Sequence, residues 1–207
     1  MRKVTPYRNK DEAIKTLDNG GRFYNILTKA DDGVISQSEL GKVSGLFSDK
    51  QKMILFLDLA TSNLSDKDRE EIIVALSNEL RSVYDQYAIK RLLVNEVMEK
   101  GELSTNIVIT GVPKRIASKS DFNGFIMVPI VAGKVTTFSM IPIVDTYDVY
   151  EITSDDSLDT FVIAHAKGGQ RLPERKIKVA GVLKELKAQK DETDSKKYLE
   201  VIYYLDI

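Results

Sequence analysis

Two periods divide the chain. From Asn9 to about Lys100 apolar residues recur at three and four, and after Gly101 they alternate. Asn9 is placed to cap a first helix through about Leu17, which Asn19-Gly-Gly21 interrupts or ends. Phe23, Ile26 and Leu27 keep helical spacing. Beyond Ser36, Leu40, Val43 and Phe47 share one face of a short helix weakened at Gly45. Ser48-Asp-Lys-Gln51 reads as a capping box before Met53, Ile54, Leu57 and Leu59. Ser65 opens the longest predicted helix, carried by Ile72, Ile73, Leu76, Leu80, Val83, Tyr84 and Tyr87. Ile89, Leu92, Leu93 and Val97 extend its period.

The second half is rich in Val, Ile, Thr, Phe and Tyr, punctuated by Gly, Pro and Asp-Ser clusters, which is the pattern of strands. Seven runs stand out: Thr105–Val112, Phe122–Val131, Lys134–Ile143, Thr146–Ile152, Asp159–Ala166, Arg175–Lys187 and Lys197–Asp206. Turns are expected at Ala132-Gly-Lys134, Ser154-Asp-Asp-Ser157 and Gln189–Ser195. Gly181 suggests a bulge or bend. The fold class is therefore α+β in two domains: a helical domain over residues 1–100 and an antiparallel β-barrel over 101–207. The lysine-flanked strand, charged turn and Tyr-Leu-Glu-Val strand at the end resemble the closing hairpin of an OB-fold barrel. Seven runs exceed the five strands of that barrel, and a two-sheet β-sandwich is the alternative.

The stretch Thr28–Glu39 is the place where the first half hints at a ligand. With Gly33 at position 6 of an EF-hand loop, Asp32 falls at 5, the Val34 carbonyl at 7, Ser36 at 9 and Glu39 at 12. Ile35 takes the apolar position that meets a partner loop. Thr28 and Ala30 occupy positions 1 and 3, where anionic ligands belong. The same residues make a helix start, with Ser36 and Glu39 as a capping box and Gly33 supplying positive φ. A calcium-responsive role for Thr28, Asp32, Val34, Ser36 and Glu39 is thus disfavoured, and any affinity should be on the order of 10⁻³ M or weaker. Asn63-Leu-Ser-Asp-Lys-Asp68 echoes Val34–Glu39. Over roughly Asn9 to Tyr87 the chain resembles the helical domains of the tellurite-resistance family, whose remnant loops are similar. The resemblance implies an EF-hand-like helical pair with degenerate loops.

Composition narrows the functions. Hydrophobic residues make up 43% of 207, enough for a packed core. Net charge is −1, balanced in both halves, so a dedicated nucleic-acid binder is disfavoured. Cysteine is absent, which removes disulfides, thiolate zinc sites and thiol nucleophiles. The first residues lack a signal-peptide apolar core, and no apolar run has the roughly 18 residues of a membrane span. A cytoplasmic location without membrane association is expected.

Chemistry is sparse. His165, the single histidine, ends a predicted strand and reads as structural. Scattered carboxylates offer no acid–base pair, and Gly168-Gly-Gln170 lacks the spacing of a phosphate loop. No cofactor is implied. If the barrel binds single-stranded nucleic acid, the available residues are Lys114, Arg115, Lys119, Phe125, Lys134 and Phe138. In the last strand, inward Leu199, Val201, Tyr203 and Leu205 would send Tyr198, Ile202 and Tyr204 outward as an apolar stripe. Such a stripe calls for a cover, either the helix from Ser65 or a second copy of the chain. The reading is a non-enzymatic scaffold or protein-interaction module, with a protein partner or self-association. Single-stranded nucleic-acid binding and calcium response are the alternatives.

Overall fold

A computed structural model describes residues 1–18, 31–116, 124–132, 135–154, 159–187 and 196–207. Thr28, Lys119 and Lys134, the apolar residues Phe23, Ile26 and Leu27, and most of the expected turns lie outside them. The chain forms two compact units, Lys3–Ile89 and Lys90–Ile207 with Met1–Arg2.

The first unit is helical. Asn9 caps α1 (Lys10–Leu17), its Oδ1 accepting the Glu12 N–H at 2.9 Å. Ser36 caps α2 (Gln37–Ser44) in a full capping box, which ends at Gly45 in the left-handed region, φ 73°. For α3 (Lys50–Ala60) the cap is Asp49 rather than Ser48, through the Lys52 N–H. Every residue of α3 from Met53 to Ala60 is buried, so this helix is the unit's centre. Ser65 caps α4 (Asp66–Ala75).

The long helix expected from Ser65 is two helices. The chain breaks at Leu76, and Ser77 caps α5 (Asn78–Gln86) through the Leu80 N–H. The break has a partner. Ile35 N–H donates to the Ala75 carbonyl (2.8 Å), and Ser77 N–H donates to the Ile35 carbonyl (2.9 Å). Ile35 and Leu76 are both buried in this bridge. The segment facing Ile35 is therefore Leu76-Ser77, not the Asn63–Asp68 stretch that echoes Val34–Glu39. Nor does the helix run on to Val97: Ile89–Arg91 is a short strand, β2.

The second unit is a barrel. Its strands are β3 (Asn106–Arg115), β6 (Tyr147–Thr153), β7 (Thr160–Ala166), β8 (Ile177–Leu186) and β9 (Lys196–Asp206). The ring runs β3–β6–β7–β9–β8 and back to β3. Only β7 and β9 pair parallel within it. This is the five-stranded, OB-like Greek-key barrel. β1 (Arg2–Lys3) and β2 add to the sheet beside β9 and β3. Val94, in a 3₁₀ turn, and Val97, in α6 (Val97–Lys100), join Ile107, Tyr150, Ile163, Val179 and Leu199 in the barrel core.

All seven predicted runs are strands. The surplus two, β4 (Phe125–Ala132) and β5 (Val135–Pro142), form a separate two-stranded sheet inserted between the first and second barrel strands. A helical turn, α7 (Ile143–Thr146), returns the chain to β6.

The expected bend at Gly181 is real, and the extra residue lies opposite it. Register slips between Ala180 and Gly181: Tyr203 faces Ala180 while Val201 faces Gly181, leaving Ile202 as the bulge. A Cβ on Gly181 would stand 2.2 Å from the Glu200 carbonyl oxygen, so only glycine fits. The bulge also switches the inward set. Leu199 and Val201 enter the core before it, and Tyr204 after it. The outward stripe of Tyr198, Ile202 and Tyr204 therefore does not form. Tyr204 is in the barrel, Ile202 is half-buried, and Tyr198 is buried under a second apolar cluster.

Candidate interaction site on the inserted hairpin

That second cluster explains where the hairpin sits. Ile126 of β4 and Ile143 of α7 pack on Val149, Ala164, Leu186 and Tyr198, from four barrel strands. The base is pinned by backbone bonds: Ile143 N–H to Gly124 (2.9 Å), and a reciprocal pair between Phe125 and Lys187 (2.9 and 2.8 Å). The cover of Tyr198 is thus the barrel unit's own insertion.

The outer face of the second and third strands is the surface through which OB barrels take oligonucleotides. Here it carries Tyr147, Val149, Glu151, Val162 and Ala164, with no basic side chain. Its centre, Val149 and Ala164, lies under Ile126 and Ile143.

The hairpin has a second face. Cross-strand pairs Met127↔Met140 and Pro129↔Phe138 put Met127, Pro129 and Val131 of β4 on one side with Phe138 and Met140 of β5. Met127 (44%), Met140 (45%), Phe138 (63%) and Val131 (69%) are exposed there. Ile126 and Val128 point the other way, to the barrel. Between Phe125 and Pro142 the only charged residue is Lys134.

Between β4 and the barrel lies a cleft of about 420 Å³, lined by Ile126, Val128, Pro129, Tyr147, Lys184 and Tyr198 among others. Tyr147 and Tyr198 meet edge to face at 6.1 Å. The Tyr147 hydroxyl donates to Glu200 Oε1 at 3.2 Å. Burial holds both phenols protonated, raising each pKa, with Glu200 adding to the effect. Lys187 pairs with Glu185.

The described residues among those considered for nucleic acid are not brought together. Arg115 is bound to Asp148 at 2.8 Å, Lys114 stands across from Glu151, Phe125 is half-buried at the hairpin base, and Phe138 is on the hairpin's outer face. Lys119 and Lys134 lie outside the described residues.

The loop near Gly33 is organised by hydrogen bonds. Glu39 Oε2 accepts the Ser36 N–H (2.7 Å), Asp18 Oδ2 accepts the Gly33 N–H (2.8 Å), and Asp32 Oδ1 accepts the Val34 N–H (3.0 Å). Gly33 has φ 79°. Asp18, absent from the sequence-based ligand set, is the residue that fastens this loop. Among the described residues no three His, Cys, Asp or Glu side chains gather around a common point.

His165 is fully buried, its ring stacked on Tyr150 at 5.6 Å. Among the described residues no helix is long and apolar enough to cross a membrane.

No family model matches the chain, and no curated protein matches it. Among solved structures it is similar to the N-terminal domain of an archaeal MCM. Identity is 14%, coverage is 83% of this chain and 84% of that one, and the TM-score is 0.38.

Proposed function

We propose that this protein is a non-enzymatic interaction module that docks a protein through the inserted hairpin. The observation that carries the reading is the exposed apolar face of Met127, Val131, Phe138 and Met140. Two strands alone are marginal in water, so a hairpin gains stability by packing. This one packs Ile126 and Val128 of its inner face on the barrel and leaves large apolar side chains in register on the other. Contiguous exposed apolar surface of that kind marks an interaction site. On a hairpin whose only charged residue in sequence is Lys134, methionine and phenylalanine match the composition of interface cores. In the helical unit, the positive φ of Gly33 and the Ser36–Glu39 capping box support reading this loop as an EF-hand-like remnant with a structural role.

The test is sedimentation of fluorescently labelled protein, alone and in native extract. Wild type should sediment faster than a 23.3 kDa monomer. The double variant Phe138→Asp, Met140→Asp should sediment as the monomer with its fold intact. Monomeric sedimentation of both proteins in both media overturns the proposal.

Single-stranded nucleic-acid binding is a second reading. It is supported by the barrel topology and by exposed Lys114 near the end of β3.

A further inference from the structure

We infer that the cleft between β4 and β8 is a strand-addition slot, filled by an extended segment of the docked protein. The inference rests on the protein-docking reading above and names how the partner is held. Its basis is a ladder that starts and stops. Phe125 and Lys187 exchange both backbone bonds, yet their bridge is isolated and the pairing does not continue.

Period two says which groups are left over. On β8, Leu183 and Lys187 direct their backbone groups away from β9: Leu183 bonds to Thr105 (3.0 Å) and Ser104 (2.8 Å), and Lys187 to Phe125. Glu185 lies between them, so its N–H and C=O point the same way. On β4, Phe125 directs its groups towards β8, so Met127 does too, while Ile126 and Val128 turn theirs to β5. Continued pairing would set Met127 against Glu185. Both instead line the cleft. The next residue of that set, Pro129, has no N–H and limits the slot to a short segment.

The side chains around the slot define the occupant. Ile126, Val128, Tyr147 and Tyr198 offer an apolar, aromatic wall on the barrel side, and Lys184, Lys187, Glu185 and Glu200 balance in charge. The segment is an extended peptide with apolar residues at alternate positions and no required net charge. Main-chain bonds supply most of the affinity in this mode, so a generic strand is a fair probe.

Hydrogen exchange of the whole protein, free and with a synthetic peptide, tests the slot. The probe is an acetylated, amidated octapeptide alternating valine with threonine and closed by two lysines. Its control carries N-methyl groups on every second amide. In the free protein, the Met127 and Glu185 amides should exchange at least about tenfold faster than those of Val128 and Leu186, which face paired strands. The peptide should slow both, and the N-methylated control should bind at least about tenfold more weakly. Protection of Met127 and Glu185 without peptide would show the ladder already closed and overturn the slot. So would equal binding, or no binding, of the two peptides. Loss of peptide binding with a Phe138-dependent complex still seen in extract would remove the slot and leave the docking reading standing.

Discussion

Tyr150 donates its hydroxyl hydrogen to Nε2 of His165 inside the barrel, oxygen to nitrogen 3.4 Å. The direction follows from the other ring nitrogen. Nδ1 lies 3.0 Å from the Ala166 carbonyl, which can only accept, so Nδ1 carries the proton and Nε2 is left as the acceptor. The Tyr150 oxygen in turn accepts the Leu172 N–H at 3.2 Å, tying the segment before β8 to the core. Burial lowers the His165 pKa, partly opposed by the Ala166 carbonyl and Asp148 and reinforced by the N-terminus and Arg115.

This arrangement predicts acid sensitivity. A histidine whose folded pKa is below its ordinary value near 6.5 is protonated more readily in the unfolded chain. Its contribution is complete above about pH 6.5 and is lost as pH falls from there towards the lower folded value. Urea midpoints should fall between pH 7.5 and 5.5, and His165→Gln should flatten that slope. His165 is the only histidine in the chain, so an unchanged slope in the variant would locate the titration elsewhere.

Gly181→Ala should be severe. The added Cβ meets the Glu200 carbonyl carbon and oxygen at 2.8 and 2.2 Å, backbone that cannot step aside without breaking the bulge. A loss of at least about 2 kcal/mol is expected in denaturant unfolding. An exposed control such as Val131→Thr should stay within about 0.5 kcal/mol.

The Gly33 loop should behave as a helix start. Ser36→Ala removes the acceptor for the Glu39 N–H and should cost about 1 kcal/mol, with or without calcium. Calorimetric titration should show no saturable calcium heat below millimolar concentration. A micromolar one-site isotherm abolished by Glu39→Gln would overturn this.

Much of the fold was legible because strands and caps leave local marks. All seven strand runs were found, as were the caps at Asn9, Ser36 and Ser65. What was missed is non-local. Alternation in Phe125–Pro142 is the same whether a hairpin belongs to the barrel or sits on it, so the pattern shows two strands more than a five-stranded barrel needs without showing which two are inserted. The apolar period runs unbroken across Leu76, and Ser77 has Leu80 rather than an acid three residues on, so no capping box marks the break. In β9 a strict period of two assigned Tyr204 outward, whereas the Ile202 bulge reverses parity beyond it. The candidate site is only half legible: Phe125 and Phe138 stand out as aromatics able to stack on bases, while the exposure of Met127 and Met140 depends on which face the barrel covers.

The most direct measurement is methyl NMR of the protein labelled at its five methionines. Met127 and Met140 report on the hairpin's outer face, and buried Met53 serves as an internal reference. Addition of native extract, or a rise in protein concentration, should shift and broaden the Met127 and Met140 signals and leave Met53 in place. A single-stranded oligonucleotide at physiological salt should move neither. Saturable shifts of Met127 and Met140 with the oligonucleotide, and none with extract or concentration, would contradict the protein-docking account and place nucleic acid on the hairpin instead.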